Sequence, residues 1–137
     1  IPLRSSVMTK SIALFYILWL FSSAFNQVKA AEYVYYGFEP QIVTNYTAVK
    51  KKIGYVRLTV ELMIEGPNNF EVVEHHAPLL RDAIIDIIGK QTEDKIKSIK
   101  GRAEILKQCE DKVKSLLTEE TGKPLVKKLL FTQWLDN

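Results

Sequence analysis

The adjacent pair His75-His76, with Glu74 before it and Asp82 downstream, is the cluster in this sequence best equipped for chemistry. Two imidazoles four residues apart on a helix can share a metal ion, as metalloprotease helices do. Neighbouring residues on a helix point about 100° apart instead, so His75 and His76 do not converge on one ion. No second group of His and Cys supplies the remaining ligands of a closed site. The pair therefore reads as part of a partly exposed polar face rather than a metal or pH-sensing site. No metal or other cofactor is expected.

Cys109 is the only cysteine, so no disulfide can form within the chain. It lies four residues after Ile105 and four before Val113, the spacing of a helical core stripe. It reads as a small buried hydrophobe rather than a reactive thiol or an intermolecular disulfide. Arg81 and Asp82 read as members of surface ion pairs, with Glu74 or the neighbours of Asp86 as partners. The sequence has no phosphate-cradling glycine loop, nucleophile elbow or dinucleotide fingerprint. Its carboxylates are scattered over helices, with no apolar pocket to separate their pKa values as a glycosidase pair requires. A non-enzymatic protein is expected.

Composition agrees with a single folded domain. The chain has 137 residues, 47% hydrophobic and 26% charged, which fits one globular core. Of its 19 basic residues, Arg4, Lys10 and Lys29 fall in the first thirty positions, leaving 16 against 16 acidic ones. A balanced chain has no global field to gather nucleic acid, and none is expected as a partner. Lys50-Lys51-Lys52 reads as a solvated turn. Asn45-Tyr46-Thr47 fits the glycan acceptor pattern, a tripeptide that recurs by chance.

Residues 1–30 read as upstream sequence and a leader. Residues 1–7 are expected to precede the true start at Met8. Lys10 and the apolar run Ile12 to Phe21 come next, too short for the roughly 20 apolar residues that span a bilayer. Val28 and Ala30 place small side chains where a signal peptidase reads, so cleavage is expected between Ala30 and Ala31. An uncleaved leader would instead hold the protein at the inner membrane. Residues 31–137 are then the exported domain.

The elements of that domain emerge from periodicity. Residues 31–45 are aromatic and β-branched but interrupted by Gly37 and Pro40, an edge-like extended segment with a break. From Ile53 to Ile64, Val56, Leu58, Val60, Leu62 and Ile64 alternate with Tyr55, Arg57, Thr59 and Glu61, a strand with one buried face. Phe70 to Ile88 has a helical period through Val73, Ala77, Leu80 and Ile84, with Asn68 or Asn69 as cap and Gly89 as a left-handed terminator. Pro78 either bends this helix or stands in the first turn of a helix starting near His76. Thr92 caps a short piece with Ile96 and Ile99 on one side, which Gly101 ends. The next helix runs from Arg102 to Glu120 and is stopped by Gly122 and Pro124. Pro124 to Trp134 reads as a strand that pairs with the Ile53 to Ile64 strand. The result is an α/β layer, a short, mainly antiparallel sheet with amphipathic helices on one face.

Four stretches, YYGFEPQIVTNY (Tyr35 to Tyr46), GYVRLTVELMIE (Gly54 to Glu65), VEHHAPLLRDAIIDIIG (Val73 to Gly89) and LLFTQWL (Leu129 to Leu135), resemble FliL and its FliL-like relatives in order. The residues that carry the likeness best are Pro78, Leu80, Arg81, Asp82, Ala83 and Ile84, with Phe131 and Thr132 in the closing strand. The resemblance implies a small stomatin/prohibitin-like domain in the periplasm, without catalysis. It also implies assembly of copies into rings around stator units of the flagellar motor, with stator or other basal-body proteins as partners. The usual member has an N-terminal membrane anchor, from which the cleavable leader read here departs. A different class of function is a module that binds a small ligand or peptide through Tyr33, Tyr35, Tyr36 and Phe38, although half of these rings are expected to pack on the sheet.

Overall fold

The computed structural model of the chain describes residues 16–18, 31–48 and 53–137. The expected leader and its cleavage point at Ala30, and the Lys50-Lys51-Lys52 turn, lie outside the described residues, apart from three helical residues at 16–18. Among the described residues no helix is long and apolar enough to cross a membrane. Residues 31–137 form a compact unit of their own.

The backbone of this unit is an antiparallel sheet built on one long strand. Strand β1 (Tyr33–Gly37) and strand β2 (Ile42–Tyr46) precede strand β3 (Gly54–Glu65). Helices α1 (Phe70–His75), α2 (Ala77–Gly89), α3 (Glu93–Lys97) and α4 (Ile99–Thr121) come next, and strand β4 (Val126–Asp136) closes the chain. Residues 61–64 of β3 pair with β1 and β4 at once, and residues 56–58 with β2 and β4. A strand has only two edges, so β1 and β2 share one edge of β3 and β4 takes the other. The expected break at Gly37 to Pro40 thus divides a single edge strand into two pieces, joined through a cis Glu39-Pro40 bond.

The alternation read in β3 holds along its whole length. Val56, Leu58, Val60, Leu62 and Ile64 have no exposure. They meet Leu80, Ile84 and Ile88 of α2, Ile96 of α3, and Ile105, Cys109, Val113 and Leu117 of α4 in one core. Spacings of three and four residues put each helical set on one stripe, and the sheet supplies the matching apolar face. The pairing of β4 with β3 shifts register between Thr59 and Val60 and between Met63 and Ile64, which places bulges near Thr132 and Lys127.

Of the two alternatives for Pro78 the second holds, and the readings of Asn69, Gly89 and Gly101 are corrected. Phe70 to Ile88 is two helices, because His76 leaves helical geometry (φ −91°, ψ 2°) and Pro78 stands in the first turn of α2, where a missing N–H costs nothing. Asn69 lies at the start of α1, but its side chain donates back to the Glu65 carbonyl (2.7 Å) instead of capping. Gly89 is the last helical residue of α2, and right-handed Lys90 comes after it. Gly101, read as a breaker, lies inside the first turn of α4 and is buried. That helix starts at Ser98, whose hydroxyl accepts the Gly101 N–H (2.9 Å). This earlier start turns Ile99 out to solvent, 88% exposed, away from Ile96 in the core. Gly122 does adopt the left-handed conformation (φ 75°) and donates its N–H to the Thr118 carbonyl (2.8 Å), closing α4.

Candidate functional site

The cluster with the most obvious chemistry forms no ligand set. His75 ends α1 and His76 occupies the break before α2. Their rings meet edge-on, with centroids 5.2 Å apart, and His76 Nδ1 donates to the Val72 carbonyl at 2.8 Å. That bond turns the His76 ring back over its own helix. Among the described residues no group of three or more His, Cys, Asp or Glu side chains is placed to hold a metal ion. Cys109 is fully buried, and burial pushes its thiol up to about 12. It stays protonated near neutral pH and is therefore a poor nucleophile.

The residues singled out in α2 have structural employment. Pro78 shapes the first turn, while Leu80 and Ile84 are core. Asp82 is exposed and Ala83 half-buried. Arg81 is not the surface ion-pair member that its spacing suggested. Its Nη2 donates to the Pro40 carbonyl (2.8 Å), and its guanidinium lies 5.7 Å from the Phe38 ring centroid. It ties the break between β1 and β2 onto α2, an inter-element role that spacing along one helix could not reveal. Phe131 rests against Trp134, ring centroids 5.3 Å apart, and the Thr132 hydroxyl at the bulge faces the Thr59 carbonyl.

Among the described residues the sheet face turned away from the helices stands out for its exposed apolar side chains. Side chains directly opposite on paired antiparallel strands project to the same side. Register therefore puts Tyr35 beside Met63, Val43 and Leu135 on either side of Arg57, and Leu130 beside Glu61. Tyr35, Val43, Tyr55 and Leu135 are 52%, 53%, 45% and 53% exposed, so this face presents apolar side chains to solvent. The aromatic stretch at the start of the domain splits as alternation requires. Tyr36 and Phe38 turn inward in an edge-on contact (5.2 Å), while Tyr33 and Tyr35 turn outward. Across the middle of the face, Gln41 Nε2 donates to Thr59 Oγ1 (2.9 Å) and to Gln133 Oε1 (2.7 Å), a polar belt over three chain segments. The sequence hinted at this face through Tyr55, Arg57, Thr59 and Glu61. Its partners on β2 and β4 needed the register.

The outer edge of β4 has a guard. Glu110 of α4 accepts the Leu129 backbone N–H (3.1 Å) and a hydrogen bond from Lys114 Nζ (2.9 Å). Burial alone would raise the Glu110 pKa, but the Lys114 and Leu129 hydrogen bonds outweigh it and hold it below 4.5. A depressed carboxyl pKa stabilises the fold above the unfolded value and loses that effect as pH falls through the folded value. Chemical denaturation of wild type and Glu110→Gln is therefore expected to show wild type more stable at pH 7. The gap should close below pH 4.5, as Glu110 takes up its proton.

Comparison with known proteins respects the same boundaries. Residues 35–135, nearly all of the sheet and helix unit, match the family described as flagellar basal body-associated protein FliL. The chain is also similar to a flagellar protein FliL of Aquifex aeolicus (strain VF5), 24% identical over 86 residues. That alignment covers 63% of this chain and 53% of the Aquifex protein, so it spans about half the length of that relative.

Proposed function

Because the chain belongs to the FliL family, matched over residues 35–135, we propose that it is an accessory of the flagellar basal body that supports stator function through protein-protein contacts. The observation that carries this reading is the extent of the match, which takes in β2, β3, all four helices and most of β4. In this reading the domain is a non-enzymatic scaffold in the periplasm. The leader decides whether it is released there or stays attached to the inner membrane. The stomatin/prohibitin-like character and the assembly of copies around a stator belong to the same proposal. Supporting it is a surface suited to contact: a mixed sheet face on which Tyr35, Val43, Tyr55 and Leu135 stand exposed around the polar belt of Gln41, Thr59 and Gln133.

The test is genetic. Deletion of the gene is expected to slow swimming, with the deficit growing in viscous medium as load on the motor rises, and the intact gene in trans should restore speed. Unchanged motility at every viscosity would overturn the proposal.

A further inference from the structure

We infer that the open sheet face is a dimer interface, on which a second copy of this chain packs face to face about a two-fold axis crossing the strands at Thr59. This inference goes beyond the flagellar reading and does not depend on it. It rests on the pattern of side chains that the register creates.

A two-fold axis in this position lies between the two sheets and perpendicular to their strands, so it sets β3 on β3 and β4 on β4 while reversing their direction. Positions equidistant from Thr59 then oppose each other. Arg57 of one copy faces Glu61 of the other, and the symmetry makes this pair twice. Neither residue forms an ion pair among the described residues. They stand four residues apart on one strand, about 13 Å, too far to neutralise each other.

The apolar positions obey the same rule. Leu135 is the β4 partner of Arg57 and Leu130 that of Glu61, so Leu135 of one copy lies over Leu130 of the other. Tyr55 lies over Met63. On the broken edge, Val43 is beside Arg57 and Gly37 beside Glu61, so an exposed valine meets a position with no side chain. The polar belt of Gln41, Thr59 and Gln133 falls on the axis and meets itself. Polar groups at the centre fix the register that apolar contacts alone would leave loose. A self-complementary patch of this kind is what a two-fold interface requires. A rotation about an axis parallel to the strands would instead place Arg57 on Arg57 and Glu61 on Glu61.

Size sets the expected strength. A face of twelve residues by three strands measures about 40 Å by 14 Å, on the order of 550 Å² per copy. Specific interfaces begin near 600 Å² per partner, so association is expected in the micromolar range rather than tighter. Two sheets packed in this way stay about 10 Å apart with strands within about 30° of each other.

The experiment is sedimentation equilibrium on the purified full chain from about 1 to 200 μM, a range that brackets micromolar dissociation. Wild type is expected to reach a dimer and go no further through this face. Arg57→Glu and Glu61→Arg are each expected to raise the dissociation constant at least about tenfold, because each sets two pairs of like charges together. An equimolar mixture of the two variants should recover dimer, since every charge then faces its opposite. Circular dichroism confirms that both exposed-face variants keep their fold. Wild type that stays monomeric across the range, a dimer indifferent to either reversal, or a mixture without recovery would each overturn the inference.

Discussion

Gly101→Ala is expected to destabilise the domain by about 3 kcal/mol, the upper end of overpacking costs, although alanine is the better helix former. In an open helix the same change would stabilise by about 1 kcal/mol. The sign reverses because a Cβ at position 101 would run into the backbone of Lys95, against its carbonyl oxygen and Cα, and into the Ser98 hydroxyl. Backbone cannot step aside as a flexible side chain can. The new methyl must push α3 off α4 or break the Ser98 cap. Moving α3 withdraws Ile96 from the core. Ser98→Ala separates these effects, because it removes the cap alone and should cost only about 1 kcal/mol. Urea denaturation of both variants checks the point, and a Gly101→Ala protein as stable as wild type would mean that the contact between α3 and α4 is not this close.

The other large effect separates the two faces of β3. Leu62→Ala is expected to cost about 2–5 kcal/mol, since Leu62 is wholly buried between the sheet and the helices and its loss leaves a cavity in a close-packed core. Its neighbour Met63 projects to the open face and is only half-buried. Met63→Ala should cost less than about 1 kcal/mol in dilute, monomeric protein, where that face meets water. Domains of this kind are stable by about 5–15 kcal/mol in total, so Leu62→Ala alone approaches unfolding at elevated temperature. Thermal unfolding at low protein concentration measures both. Equal losses at 62 and 63 would mean that the two faces are covered alike.

The contrast between these adjacent residues also shows how much of the molecule is legible before folding. Strand β3 is readable because a period of two over twelve residues leaves one physical solution, an apolar face covered and a mixed face uncovered. The stripe of Ile105, Cys109, Val113 and Leu117 is readable for the same reason at the helical period. Tyr36 and Phe38 can be told from Tyr33 and Tyr35 by alternation alone. Reading fails where a residue's type permits two conformations and a neighbour decides between them. Gly101 permits a break, but its lack of a side chain serves close approach by Lys95. Gly89 permits a left-handed turn, and the chain continues right-handed. Arg81 permits a surface ion pair, but the Pro40 carbonyl, 41 residues away in the chain, is its partner.

Element types, the covered faces of β3 and of the long helix α4, and the family likeness are thus written in the order of residues, since they depend on periodicity and on groups close together in the chain. Long-range pairing had to settle the rest: that β1 and β2 share one edge, that β4 aligns Leu135 with Arg57 and Leu130 with Glu61, and hence that the open face carries a self-complementary pattern. The physical reason is that a shift of one residue in pairing turns every side chain of a strand to the opposite face. The register that prevents it is set by bulges, by the break at Pro40 and by the packing of α2 and α4, contacts between residues far apart in the chain.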